Sequence, residues 1–183
     1  MQVTVLAGGI GAARFLRGLV SATGSTHDKP SVTVIGNTGD DIRLFGLPVR
    51  PALASGMHTL GGGADEERGL GRAHESFTVL EELRGYGAKP DWFGLGDRDI
   101  ATHLVRTQAL DAGYRLSTVT AGLCERWQLP VSLIPMTDDR VETHVVIDDP
   151  DTGQPAAIHF QEWWVRHRAA VAAREFVYVG SDT

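Results

Sequence analysis

The chain has 183 residues, 42% of them hydrophobic and 22% charged, ordinary globular values that leave room for one α/β domain with its own core across residues 1–183. A net charge of −6 argues against a general nucleic-acid binder, which carries a basic excess. Cys124 is the lone cysteine, which excludes an internal disulfide and makes a reducing, cytoplasmic setting the expectation. No stretch approaches the roughly 20 apolar residues of a membrane helix, so no membrane partner is expected either.

Val3 to Ala7 reads as an apolar strand that runs into a glycine turn (Gly8, Gly9, Gly11), with Ala12 to Val20 as the helix that follows. Without a basic leader, and broken early by glycine, this segment reads as a core strand rather than a signal peptide. A polar loop, Thr23 to Pro30, leads to a second β-branched strand, Ser31 to Gly36. Strand, helix, strand at this spacing is a βαβ unit, which implies parallel pairing and a right-handed crossover. The expected architecture is a Rossmann-like parallel sheet, whose ligands sit beyond the C-terminal ends of the strands. Gly8–Gly11 and Asn37–Asp41 both emerge at that edge.

Further along, helices are expected over His74–Arg84, Asp99–Ala112 (with Asp97 or Asp99 as N-cap) and Leu116–Trp127. Val131–Pro135 reads as a strand, and Val141–Ile147 with Ala156–Phe160 as a hairpin around DDPDTG. Phe176–Val179 reads as another sheet strand at the entrance to a βα unit. The fold is thus expected to be α/β, a Rossmann-like sheet with a helical insertion and a β-hairpin, truncated at its C-terminus.

Three segments carry candidate chemistry. The glycine turn puts free N–H groups and the positive end of a helix dipole at a strand end, a seat for phosphate. It lacks the spacing of the dinucleotide fingerprint and the lysine of a P-loop, so NAD and P-loop readings weaken; a ligand-free tight turn is the alternative. In GNTGDD, Asp40 and Asp41 are hard oxygen donors suited to Mg²⁺, with Asn37 and Thr38 adding polar groups, although a solvated Asx turn explains the same letters. WFGLGDRD offers the aromatic Trp92 and Phe93, a turn at Gly94 and the carboxylate of Asp97 at a helix start, suited to an anionic or heteroaromatic ligand; core packing and a helix cap explain it equally. His144 and His159 on the hairpin, and Trp163 with Trp164, read as packing residues. Neither a zinc signature nor a nucleophile elbow is present.

The blocks VLAGGIGAARFLRGL, GNTGDDIRLFGL, TLGGGADEERGLGR, PDWFGLGDRDIATHLVRTQAL, IPMTDDRVETHVV and IHFQEWWVRHR together resemble the CofD/FbiA family of 2-phospho-L-lactate or phosphoenolpyruvate transferases of coenzyme F420 biosynthesis, most closely its actinobacterial branch. The resemblance implies attack by the terminal hydroxyl of the deazaflavin Fo on enolpyruvyl- or lactyl-diphosphoguanosine, with release of GMP and help from Mg²⁺. It implies a phosphate cradle at Gly8, Gly9 and Gly11 with Asn37 and Thr38 beside it, and a metal at Asp40 with Asp41. Asp40 is also the implied catalytic residue. The deazaflavin is expected against Trp92, Phe93, Gly94 and Asp97, and relatives suggest a homodimer. Where the family carries a P-D-L-D-T segment, this chain has Pro51-Ala52-Leu53-Ala54-Ser55, which removes two carboxylates from the acceptor region. Family chains also continue past Thr183 with an S-N-P segment for the nucleotide. A nucleotide-sugar-binding regulator of the YvcK type, or an inactive paralogue, are the alternatives.

Overall fold

The computed structural model describes residues 1–24, 31–65 and 71–182. Most of the polar loop expected over Thr23–Pro30 and the middle of the TLGGGADEERGLGR block lie outside the described residues. Strand β1 (Gln2–Ala7), helix α1 (Ile10–Gly24) and strand β2 (Ser31–Gly36) form the expected βαβ unit. β1 and β2 pair in parallel from Gln2↔Ser31 to Ala7↔Gly36, and β5 (Ser132–Pro135) joins the other side of β2, also in parallel, to give the order β1-β2-β5. Alternate residues of β2, Val32 and Val34, are buried against Leu16 of α1, Leu133 of β5 and Leu53 and Met57 of α2 (Pro51–Leu60). Burying aliphatic side chains of this size contributes about 1.5–3 kcal/mol each.

Between β2 and α2 runs a tight hairpin, β3 (Ile42–Leu44) and β4 (Leu47–Val49), turned by Phe45 and Gly46, both at positive φ. That is the backbone twist a two-residue hairpin requires. Pro51 opens α2, where its missing N–H costs nothing. The glycines after α2 have a packing reason: a Cβ at Gly61 or Gly63 would lie 2.9 or 2.2 Å from the Trp127 ring. Leu44 and Val49 of the hairpin form a second apolar cluster with Leu95 and Ile100.

The helical insertion contains α3 (Thr78–Gly85), α4 (Asp97–Asp111) and α5 (Leu116–Trp127). The first of these is shorter than the expected His74–Arg84. His74 has a left-handed φ of 55°, and the helix begins only where the Asp97 carboxylate accepts the Thr78 and Val79 N–H groups, at 3.1 and 3.0 Å. Asp97 is therefore a cap, though of α3 rather than of its own helix. The N-terminus of α4 is served in return by Glu75, whose Oε1 accepts the Arg98 N–H at 2.8 Å. Gly96, the N-cap of α4, leaves room for that carboxylate, since a Cβ there would lie 2.0 Å from Glu75 Cγ.

The hairpin forms as expected from β6 (Glu142–Asp148) and β7 (Pro155–His159), antiparallel, with His144 opposite His159. The last strand, β8 (Ala173–Val179), overturns the βα expectation. It pairs antiparallel with the free side of β6, giving a separate sheet of order β7-β6-β8 instead of extending the parallel one. A π-helical turn, Glu162–Arg166, connects β7 towards β8. No helix among the described residues is long and apolar enough to cross a membrane.

Candidate functional site

A cavity of about 680 Å³ opens at the C-terminal edge of the parallel sheet. One wall is the glycine turn. Gly9, Ile10 and Gly11 line it, and Ala13 N–H donates to Gly9 O at 3.2 Å as α1 begins, so the first N–H groups of the helix have no intrahelical acceptor. A Cβ at Gly8, Gly9 or Gly11 would meet nothing within 4 Å, which leaves the approach to this helix end open. Gly8 itself does not line the cavity.

The GNTGDD turn splits its adjacent acids between opposite sides. Asn37 Oδ1 accepts the Gly39 N–H at 2.9 Å, an Asx turn, while Asn37 Nδ2 donates to Asp40 Oδ1 at 2.8 Å. Thr38 is fully buried, so it shapes the turn rather than facing the cavity. Asp40 does line the cavity, and its Oδ2 accepts from Gln161 Nε2 at 3.0 Å. Burial raises the Asp40 carboxyl above its ordinary 3.8, while a backbone hydrogen bond and the Gln161 amide pull it back. Asp41 turns away, forms a buried ion pair with Arg50 and lines a separate cavity of about 190 Å³. Burial pushes Asp41 up, to about 7, against the pull of Arg50. Among the described residues no basic side chain pairs with Asp40.

The remaining walls come from distant parts of the chain. Phe93, Gly94 and Leu95 line it, as do Phe160 and Trp164, whose rings are stacked at 11° with 6.1 Å between centroids. Trp92 meets Phe93 edge-on without lining the cavity, and Asp97 is occupied as the α3 cap. Ala54 and Ser55 of α2 line the cavity, whereas Ala52 is buried in the core.

Sequence reasoning missed His58, Arg72 and Glu75, which meet Asp99 and His103 of α4 at the polar end of this cavity. His58 Nδ1 lies 3.6 Å from Asp99 Oδ1, too far for a hydrogen bond, and His58 Nε2, Asp99 Oδ1 and Glu75 Oε2 have no partner among the described residues. Burial, with help from Arg72, pushes His58 down to about 3, so it is neutral near pH 7. Burial and Arg106 do the same to His103. Burial and the nearby Glu75 push Asp99 up to about 6, opposed by Arg72 and Arg106. Arg106, fully buried, touches His103 Nδ1 at 2.6 Å. Asp99, His103 and Arg106 share one face of α4 at helical spacing, but His58, Arg72 and Glu75 join them from other parts of the chain, so only the fold reveals the whole set.

Parallel sheet, glycine turn and a ligand-sized cavity beyond the strand ends define an α/β protein with its pocket where such sheets bind their ligands. The chain belongs to the CofD family: the family model "2-phospho-L-lactate transferase CofD" matches residues 3–183. It is 62% identical over 187 residues to a phosphoenolpyruvate transferase of Thermobifida fusca, an alignment covering all of this chain and 58% of that protein. Identity is 60% to the protein of the same name in Streptomyces griseus (55% of it covered) and 54% in Mycobacterium avium (58% covered). The chain thus spans little more than half the length of these relatives. A UPF0052-family protein of Bacillus halodurans, 16% identical, has the same fold, with a TM-score of 0.57 over all of this chain and 52% of that one.

Proposed function

We propose that this chain is the N-terminal part of a transferase that moves a phosphoenolpyruvyl, or 2-phospholactyl, group from its guanosine-diphosphate-activated donor to the terminal hydroxyl of Fo, releasing GMP. Supporting this reading, beyond family membership, is one juxtaposition: the open N-terminus of α1 and the Asp40 carboxylate, which no basic side chain among the described residues neutralises, face the same cavity. In the reaction a P–O bond to the acceptor forms as the P–O bond to GMP breaks, and the hydroxyl proton leaves. Positioning and electrostatics supply most of the catalysis in such transfers.

The N–H groups at Gly9 to Gly11 bind donor phosphate. Asp40 fits a single Mg²⁺, which takes one or two carboxylates and completes its shell with phosphate and water; Asp41, neutralised by Arg50, is a poor second ligand. Bound there, the ion would neutralise charge on the transferred phosphate. Phe93, Leu95, Phe160 and Trp164 supply an apolar lining suited to a planar acceptor, with His58, Glu75 and Asp99 at the polar end.

The test is to incubate the full-length gene product with Fo, Mg²⁺ and enolpyruvyl-diphosphoguanosine and look for phosphoenolpyruvyl-Fo and GMP by mass spectrometry. Formation of both is expected. Absence of product alongside binding of a UDP-sugar would replace the transferase with the regulator reading. Because Ala54 lines the cavity, activity that arises only in Ala54→Asp would identify an inactive paralogue.

A further inference from the structure

GNTGDD carries adjacent carboxylates, and the fold treats them differently. Asp41 is paired with the guanidinium of Arg50, and Arg106 lies close enough to act on it as well. Among the described residues no cationic group pairs with the Asp40 carboxylate, which receives Asn37 Nδ2 on Oδ1 at 2.8 Å, Gln161 Nε2 on Oδ2 at 3.0 Å and a backbone hydrogen bond. A carboxylate has about four lone-pair sites, so these donors still leave one available to the cavity. An amide holds a carboxylate in place and satisfies it without cancelling its charge; a lysine or arginine in the same position would do both.

Gln161 is itself held rigidly. It is 6% exposed, and its backbone N–H donates to His159 Nδ1 at 3.0 Å. The other ring nitrogen, His159 Nε2, donates to the Asp41 carbonyl at 3.0 Å. Two side chains at and just past the end of β7 thus hold the turn, one at the Asp41 carbonyl and one at the Asp40 carboxylate, across more than a hundred residues of sequence. A residue this buried, with its backbone already tied to His159, loses little further freedom in holding Asp40.

We propose that Gln161 is a positioning residue that keeps Asp40 in place as an unneutralised, cation-seeking carboxylate at the cavity. The inference rests on the transferase reading, in which Asp40 holds a divalent ion with the donor phosphates. Removing a hydrogen-bond partner of a metal ligand typically costs 10–100-fold in metal affinity.

The test is Mn²⁺ binding to the full-length gene product in the presence of GDP, read by electron paramagnetic resonance, with thermal unfolding measured on the same samples. Gln161→Leu removes the donor and is expected to weaken Mn²⁺ binding about 10-fold or more. Gln161→Lys keeps a donor at Asp40 but cancels its charge; it is expected to lose Mn²⁺ binding just as far while melting no lower than the wild type. If Gln161 served only to brace the fold, Gln161→Lys would bind Mn²⁺ normally, and that result overturns the proposal. So does Mn²⁺ affinity within twofold of wild type in a folded Gln161→Leu. Should Gln161→Leu fail to fold, the lysine variant alone decides. Wild-type protein that takes up no Mn²⁺ with GDP would overturn the metal reading of Asp40 together with this proposal, whereas normal wild-type binding with unaffected variants overturns the proposal alone.

Discussion

Asp99 shows how far a single carboxyl departs from its ordinary behaviour when a site needs it buried. It is 14% exposed, its Oδ1 has no partner among the described residues, and burial with Glu75 lifts it from 3.8 to about 6. A carboxyl whose folded value lies above its unfolded one favours the fold most at low pH. That contribution is present below 3.8 and is lost as pH rises through about 6. At about 1.4 kcal/mol per unit, the penalty above that window is about 3 kcal/mol. Asp99→Asn should therefore gain up to about 3 kcal/mol over wild type in urea unfolding near pH 8 and almost nothing near pH 4. An equal difference at both values would show that burial is not what strains this residue. The gain would come with loss of whatever ligand Asp99 orients, the usual exchange of stability for function.

Between elements, α3 and α4 cap each other through carboxylates borrowed from outside their own first hydrogen-bonded turn. Asp97 accepts from Val79, Thr78 and the Ser76 hydroxyl, and these bonds, that from Val79 foremost, hold its carboxyl below 3.8. Its stabilisation is present above 3.8 and is lost as pH falls through the lower folded value. Asp97→Ala is expected to lower the melting temperature and to strip amide protection from the first turn of α3 while leaving α4 protected by Glu75. Hydrogen exchange that falls equally in both helices would contradict the exchange of caps. This arrangement also marks the limit of what the letters disclose. An acid at a helix start is legible as a cap, but which helix it serves depends on a neighbour some twenty residues away. The β-branched strands β1 and β2 and the glycine turn announced themselves through local pattern. The β3–β4 hairpin did not, because Phe45-Gly46 is not the usual Asn-Gly of its turn. Nor did α2, whose start Pro-Ala-Leu-Ala-Ser-Gly has weak periodicity. In the site, Gly9, Gly11 and Asp40 were legible because each lies at a strand end of the βαβ unit. Gln161, His58 and Glu75 reach the cavity only by tertiary packing.

At the scale of the molecule, the antiparallel sheet meets the parallel one at the GNTGDD turn, and His159 is the hinge of that contact. Its Nε2–H donates to the Asp41 carbonyl and its Nδ1 accepts from Gln161, so both bonds together require the neutral ring. Burial lowers its value below 6.5, outweighing the opposite pull of the Asp41 carbonyl, Glu142 and Glu162; His144, edge-on at 5.5 Å, adds to the lowering. A base held below its unfolded value binds fewer protons when folded, so its stabilisation is complete above 6.5 and declines as pH falls towards the lower folded value. Acid should therefore loosen the junction before it unfolds the parallel core. Hydrogen exchange, corrected for intrinsic rates, should show β7 and the π-helical turn losing protection as pH falls below 6.5 while β2 keeps its own. His159→Phe, which cannot be protonated, should be less protected at pH 7 and show no such decline. If β7 and β2 respond together in the wild type, the two sheets form one cooperative unit and His159 is not where they separate.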